Sequence, residues 1–204
     1  MNKDMNIPIP STEEVDKWLK HWDSLPDYTE QEKALNKLFF GEFKDNDNFS
    51  NILIKCSALN DFYSTNIFKV YPVARHIESL QIDEALQAGD ETLVWKIANI
   101  DLEDKDGNLK HRYFYSFATK YCSHHNPLDF PIYDSYVEKI LKYFRKINKE
   151  FNFKNEDLKD YSKFKAILLN FQQLYGITQY TLKDLDRYLW QLGKKHFPNE
   201  YNKK

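Results

Sequence analysis

The chain has 204 residues, 42% of them hydrophobic and 16% aromatic, with a formal net charge of −2. This is enough apolar material for a folded core and excludes a disordered chain. No apolar run is long enough to span a bilayer, and the stretch MNKDMNIPIPSTEE lacks the apolar core and cleavage site of a signal peptide. A cytoplasmic protein with no membrane partner is expected. Two cysteines, Cys56 and Cys122, are too few for a disulfide framework or a zinc site, so reduced thiols, no metal and no cofactor are expected.

Residues 1–10, with Pro8 and Pro10, read as a flexible tail. Ser11 and Glu14 have capping-box spacing and open a helix to about His21, with Val15, Trp18 and Leu19 on one face. Pro26 breaks it. Thr29 is expected to cap a second helix through Ala34, Leu35, Leu38 and Phe39, with Gly41 as its stop. The KDNDN stretch at 44–48 reads as a polar loop. A third helix starts near Asn48 or Ser50. Its stripe of Ile52, Cys56, Leu59 and Tyr63 predicts burial, and it ends in Ser64, Thr65 and Asn66.

Pro72 opens a helix through Val73, Ala74, Ile77 and Leu80. A short one spans Ile82 to Gln87, stopped by Gly89, and Asp90 caps another through Leu93, Val94, Ile97 and Ala98. Residues 101–108, DLEDKDGN, form an acidic loop. A helix is expected from about Lys110 to Ser123, with Phe114, Phe117, Ala118 and Tyr121 inward. After His124, His125 and Asn126 comes a loop with two prolines. The next helix starts near Tyr133 and runs to about Ile147. It places Asp134 in the first turn, where the macrodipole favours a carboxylate. Its inward face carries Val137, Ile140, Leu141 and Phe144. Lys139, Lys142, Lys146 and Lys149 recur at helical spacing as a basic stripe. Two more helices follow: Tyr161 to Tyr175, then one capped by Thr181 and Asp184, with Gly193 and Pro198 closing the fold. No alternating strand pattern competes. The expected class is all-α, one domain over 1–204, with two lobes around a cleft as a variant.

Charge is divided along the chain. Residues 1–104 carry 10 basic and 20 acidic side chains, and residues 105–204 carry 19 and 11. Such asymmetry fits a face for a polyanion. A solvated surface with two attracting halves fits equally.

The segment Phe130-Pro131-Ile132-Tyr133-Asp134-Ser135-Tyr136-Val137 resembles the active-site turn of the helix–hairpin–helix DNA glycosylases. That superfamily includes endonuclease III, adenine glycosylase and 8-oxoguanine glycosylase. The resemblance is nearest to a bacterial 8-oxoguanine-glycosylase-like branch. It implies a multi-helix fold with a glycosylase-like core over 50–147 and a catalytic segment over 110–147. It also implies excision of a damaged or modified base flipped out of double-stranded DNA, by a monomer associated with the nucleoid when bound. Asp134 would be the catalytic carboxylate, stabilising a sugar cation or activating water. Lys120 would be the amine that forms a Schiff base in members that also cut the strand, though phosphate binding or a structural salt bridge would equally employ it. Tyr63 and Asn66 would enter the gap left by the base, with Tyr113 and Phe117 as further stacking candidates. His124 and His125, in the adjoining loop, would also contact the DNA. Lys110, Arg112, Lys139, Lys142 and Lys146 would meet phosphates.

The chain departs from the family in three ways. Tyr133 is an extra residue before the Asp. No lysine stands at the family's position near Tyr115 or Ser116; Lys120 lies one turn on from Ser116. The glycine-rich hairpin turn is missing, and Gly107 is the only glycine between Gly89 and Gly176. Backbone N–H groups then cannot approach a phosphate in the usual way, and Lys110, His111 and Arg112 are the side chains left to do so. A nucleic-acid-binding or interaction protein that keeps the helical fold without catalysis is the alternative.

Overall fold

The computed structural model describes residues 6–198. The fold is mostly helical, as expected, with one small hairpin added. In chain order come α1 (Thr12–Asp23), α2 (Pro26–Asn36) continued by a π-helical turn (Lys37–Glu42), α3 (Phe49–Phe62), α4 (Val70–Leu80), α5 (Asp83–Gln87) and α6 (Thr92–Ala98). Then follow β1 (Asn99–Glu103), β2 (Leu109–Tyr113), α7 (Tyr115–His125), α8 (Ser135–Ile147), a 3₁₀ turn (Glu156–Lys159), α9 (Tyr161–Leu174) and α10 (Leu182–His196). The chain divides into two compact units. Residues 6–26 and 133–198 form the end unit; Asp27–Ile132 forms the insert. The expected 50–147 core and its 110–147 segment both run across this boundary.

In the end unit, α10 packs against both α1 and α8. Ser11 Oγ accepts the Glu14 N–H at 3.2 Å, as the spacing predicts, and Thr181 and Asp184 cap α10 reciprocally. Val15 and Trp18 are buried, each such side chain worth roughly 1.5–3 kcal/mol. Gln191 locks the α1–α10 pair: its Nε2 donates to Trp18 O at 2.9 Å, and its Oε1 lies 2.9 Å from His21 Nδ1.

Three sequence readings change here. Residues 1–5 of the expected tail lie outside the described residues, but Ile7 is 1% exposed and its N–H donates to Tyr143 Oη at 3.2 Å. The apolar side chain just ahead of Pro8 is buried rather than left loose, whereas Ile9, between the two prolines, is exposed. Thr29 lies inside α2, because the helix starts at Pro26, where a missing N–H costs nothing. Gly193 does not stop α10. A Cβ there would lie 2.5 Å from Tyr136 Cβ, so the glycine is what permits α10 to approach α8.

In the insert, α3 packs on α4 and α7, and α6 packs on α7. Asn48 Oδ1 caps α3 by accepting the N–H of Ser50 at 2.9 Å and of Asn51 at 3.3 Å. Ile52, Cys56 and Leu59 are buried as the stripe predicts.

The helix expected from Lys110 does not begin until Tyr115. Before it, β1 and β2 pair antiparallel, with Ile100 opposite Arg112 and Leu102 opposite Lys110. Only β1 buries residues; all five residues of β2 are exposed, which leaves no alternation to read in Lys-His-Arg. The Asp104 carboxylate closes the turn, accepting the N–H groups of Asp106 and Asn108, each at 2.9 Å. Gly107 supplies the left-handed residue at φ +79°.

Candidate functional site

Tyr115 and the run from Phe117 to His124 on α7 are all buried, so the polar side chains of this helix face protein. Lys120 is 2% exposed, and its Nζ donates to Ser116 Oγ, one turn back, at 2.6 Å. The ammonium lies 5.1 Å from the centroid of the Tyr63 ring, within cation–π range. Tyr63 ends α3, and its hydroxyl is 2.9 Å from His124 Nε2. Three residues expected at a site, Tyr63, Lys120 and His124, therefore come together around the C-terminal end of α3 and the middle of α7.

A second polar cluster adjoins the first. Phe39 links them, with ring centroids 5.3 Å from His124 and 4.9 Å from His125. At its centre is Lys55, fully buried on α3. Its Nζ donates to Asn46 Oδ1 at 2.7 Å, Asp45 O at 2.9 Å and Phe43 O at 3.0 Å, with His125 Nε2 at 3.3 Å. Tyr121 Oη also donates to Asn46 Oδ1, at 2.6 Å, while the Asn46 backbone N–H donates to Asp83 Oδ2 at 2.9 Å. Burial pushes the Lys55 ammonium down to about 8, with the Asp83 charge opposing the shift. Burial, and then the Lys55 charge, push His125 down to about 3, so its imidazole stays neutral and can accept from Lys55.

Sequence reasoning missed Lys55 and Asn46. The signal for Lys55 was present: it is the only basic residue in α3 and sits inside the apolar run Ile52-Leu53-Ile54-Lys55-Cys56. Asn46 sits in a stretch that reads as plain polar loop. His125, expected in a loop, is the last residue of α7 and takes part in this network.

Other expected residues are dispersed. Asn66 is an exposed loop residue at φ +58°. Lys110 and Arg112 are exposed on β2, with Lys110 Nζ 3.9 Å from Asp104. The β1–β2 hairpin, not a tight turn, joins α6 to α7. Tyr113 is exposed and stacks nearly parallel on Tyr115, with centroids 5.6 Å apart, whereas Phe117 is core.

Asp134 and the lysine stripe belong to the end unit. Asp134 is the N-cap of α8 rather than a first-turn residue, its carboxylate accepting the Tyr136 N–H at 2.8 Å. Of the stripe, Lys142 is paired with Glu138, which also receives Lys159 at 3.1 Å. Lys139 lies over the Tyr136 ring at 5.2 Å, and Lys146 is exposed. Both cysteines are buried, and burial pushes their thiols up, Cys56 to about 12, so neither is primed as a nucleophile. Among the described residues, no group of three or more His, Cys, Asp or Glu side chains could hold a metal ion, and no helix is long and apolar enough to cross a membrane.

A family model described as the HI_0787_N N-terminal domain matches residues 14–129. The chain belongs to the HI_0787_N family. A Haemophilus influenzae protein described as uncharacterized is 48% identical over 152 residues, which cover 74% of this chain and 70% of that protein. No solved structure matches. The family match takes in both polar clusters of the insert and ends before Asp134.

Proposed function

We infer that the chain is a DNA N-glycosylase-like enzyme in which Lys120 is the nucleophilic amine. The observation that carries this reading is a buried lysine hydrogen-bonded to Ser116 Oγ and set beside a tyrosine–histidine pair. An ammonium cannot attack carbon, so Lys120 reacts as the free amine. Its Nζ forms a bond to C1′ of the sugar as the glycosidic C–N bond breaks. The base leaves with the bonding electrons and takes up a proton, which the Tyr63–His124 pair relays. Of the amine's two protons, one makes good the proton taken by the base and the other goes to the ring oxygen, whose bond to C1′ breaks as the new C–N single bond becomes an imine. The resemblance of its turn separately proposes Asp134 as a catalytic carboxylate.

The experiment uses duplexes carrying a panel of oxidised, alkylated and otherwise modified bases. Base release is followed, and borohydride is added to reduce the imine. A covalent protein–DNA adduct, absent in Lys120→Ala, is the expected result. An adduct that persists in that variant moves the nucleophile elsewhere.

A second reading, a non-catalytic nucleic-acid-binding or interaction protein, is favoured by two observations, the second of them for a partner that is not a polyanion. The hairpin lacks the glycine turn that grips phosphate, and the insert carries 11 basic and 17 acidic side chains, a net of −6. Salt-dependent duplex binding without base release would select it.

A further inference from the structure

The hairpin of the insert leaves one edge of its sheet open. The sheet has two strands, so each has one ladder neighbour and one outer edge. Which groups point outward follows from the bonds that frame the hairpin. Phe114 N–H donates to Ala98 O and Asp104 N–H to Asn108 O, each at 2.9 Å. In an antiparallel ladder the bonded pairs recur at every second residue. With Ile100 opposite Arg112 and Leu102 opposite Lys110, those two pairs exchange the bonds between the strands. Leu109, His111 and Tyr113 on β2 therefore turn their N–H and C=O groups outward, as do Asn99, Asp101 and Glu103 on β1.

The two outer edges differ. On β1, α4 packs on the strand, and Lys69 Nζ donates to the outward carbonyl of Glu103 at 2.7 Å. On β2 all five residues are exposed, Leu109 at 68% and Tyr113 at 44%. Among the described residues, no other backbone pairs with Leu109 or His111 there. An open edge is a template for another strand. Lys110 and Arg112 guard it against a second copy of the chain. A two-fold axis through His111 would set the lysine of one copy against the arginine of the other, like charges face to face. The same two cations favour a strand that carries acid.

We propose that the outer edge of β2 takes up an extended acidic peptide of another protein as a third strand, with carboxylates opposite Lys110 and Arg112. On this side of β2 those positions lie between the bonded pairs, where facing Cα atoms come within about 4.5 Å and side chains are closest. Alternate residues of the peptide meet Leu109 and Tyr113 on the other face. Arg112 makes no ion pair among the described residues, and Lys110 has only Asp104 at 3.9 Å. Asp101 and Glu103 stand one strand further off, by about 5 Å, and Asp101 faces His111 at 3.2 Å. A peptide with two carboxylates meets only this strand. A duplex would also bring phosphates over the rest of the insert, which has a net charge of −6. Nothing in this requires the chain to be an enzyme.

The probe is a capped, fluorescently labelled peptide of alternating valine and glutamate, which places carboxylates on one face of a strand and valines on the other. Anisotropy reads binding, and amide hydrogen exchange reads its place. In the free chain the ladder-bonded amides of Lys110 and Arg112 exchange more slowly than those of Leu109 and His111. On binding, Leu109 and His111 are expected to slow while Lys110 and Arg112 change little. Arg112→Glu, at an exposed position, keeps its melting temperature, binds this peptide about tenfold more weakly and gains affinity for a valine–lysine peptide. His111→Pro deletes an outward N–H, which an edge strand tolerates, and loses binding. If that variant disturbs the hairpin, Arg112→Glu carries the test. No binding, equal binding of both peptides by the wild-type chain, unchanged affinity in Arg112→Glu, or binding without slowed exchange at Leu109 and His111 overturns the proposal. Slow exchange at those amides before peptide is added also overturns it, because a second copy then holds the edge. A duplex oligonucleotide that displaces the peptide without slowing them gives Lys110 and Arg112 to phosphates instead. The borohydride adduct on Lys120 decides the enzyme reading separately.

Discussion

Lys55 Nζ lies 2.7 Å from Asn46 Oδ1, and the same oxygen receives the Tyr121 hydroxyl at 2.6 Å. One amide oxygen thus joins α3, α7 and the loop before α3. The ammonium also serves the carbonyls of Phe43 and Asp45, so removing it takes a donor from two carbonyls and leaves Asn46 Oδ1 with the Tyr121 hydroxyl. Lys55→Met preserves much of the packing volume and deletes every one of these bonds. It is expected to destabilise the insert by about 3 kcal/mol or more, despite relief of the buried charge. Urea unfolding followed by tryptophan fluorescence measures this. A neutral substitution would mean that the network specifies geometry without adding stability.

The second prediction concerns acid. His125 keeps its proton off down to about pH 3 in the folded chain, against an ordinary value of 6.5. Between those values the unfolded chain binds a proton that the folded chain refuses. Acid therefore favours unfolding: the stability is present above the upper value and is lost as pH falls toward the lower one. His125→Gln retains an acceptor for Lys55 and removes the titration. Its unfolding midpoint is expected to fall less steeply than wild type between about pH 7 and about pH 4. Parallel pH profiles would show that His125 does not carry the acid sensitivity.

Gly193→Ala is expected to lower the melting temperature. The added methyl would meet Tyr136 at 2.5 Å and its carbonyl oxygen at 2.7 Å, both too close to tolerate. The helices must separate, at a cost of about 1–3 kcal/mol. A paired Tyr136→Gly change removes that Cβ contact and leaves the backbone contact, so only partial rescue is expected in a double-mutant cycle.

Asp134 allows chemistry and stability to be separated. Asn caps a helix as well as Asp does, so Asp134→Asn is expected to melt within a few tenths of a kcal/mol of wild type, whereas Asp134→Ala loses about 1 kcal/mol. If the carboxylate stabilises the sugar cation, base release in Asp134→Asn falls on the order of a hundredfold. Unchanged release in a well-folded Asp134→Asn protein would reduce Asp134 to a cap.

Helices were readable wherever burial recurred with helical spacing. Ile52, Cys56 and Leu59 in α3 and Val137, Ile140, Leu141 and Phe144 in α8 are buried as their spacing predicts. The caps at Ser11 and Thr181 were readable because capping is local chemistry. The hairpin was not, because β2 buries nothing and so carries no period. Gly193 was misread because a glycine required for contact between helices looks, in one dimension, like one that ends a helix. At the candidate site, Lys120 and Tyr63 were found through resemblance, and their meeting with His124 needed three dimensions. Lys55 and Asn46 were hidden for a different reason: each is satisfied by partners 9 residues or more away in the chain, a relation no local pattern encodes.

The end unit is closed by helices from opposite ends of the described chain. A ribosome that has released residues up to Ile132 has delivered every residue of the insert, but none of the helices that cover Val15 and Trp18. Helix α1 finds its partner late, since Gln191 must emerge before Trp18 O receives its hydrogen bond. Until then α1 shows an apolar stripe to chaperones and to other nascent chains. The same dependence holds after synthesis: a cut that removes α10 is felt first at Val15 and Trp18, at the far end of the sequence.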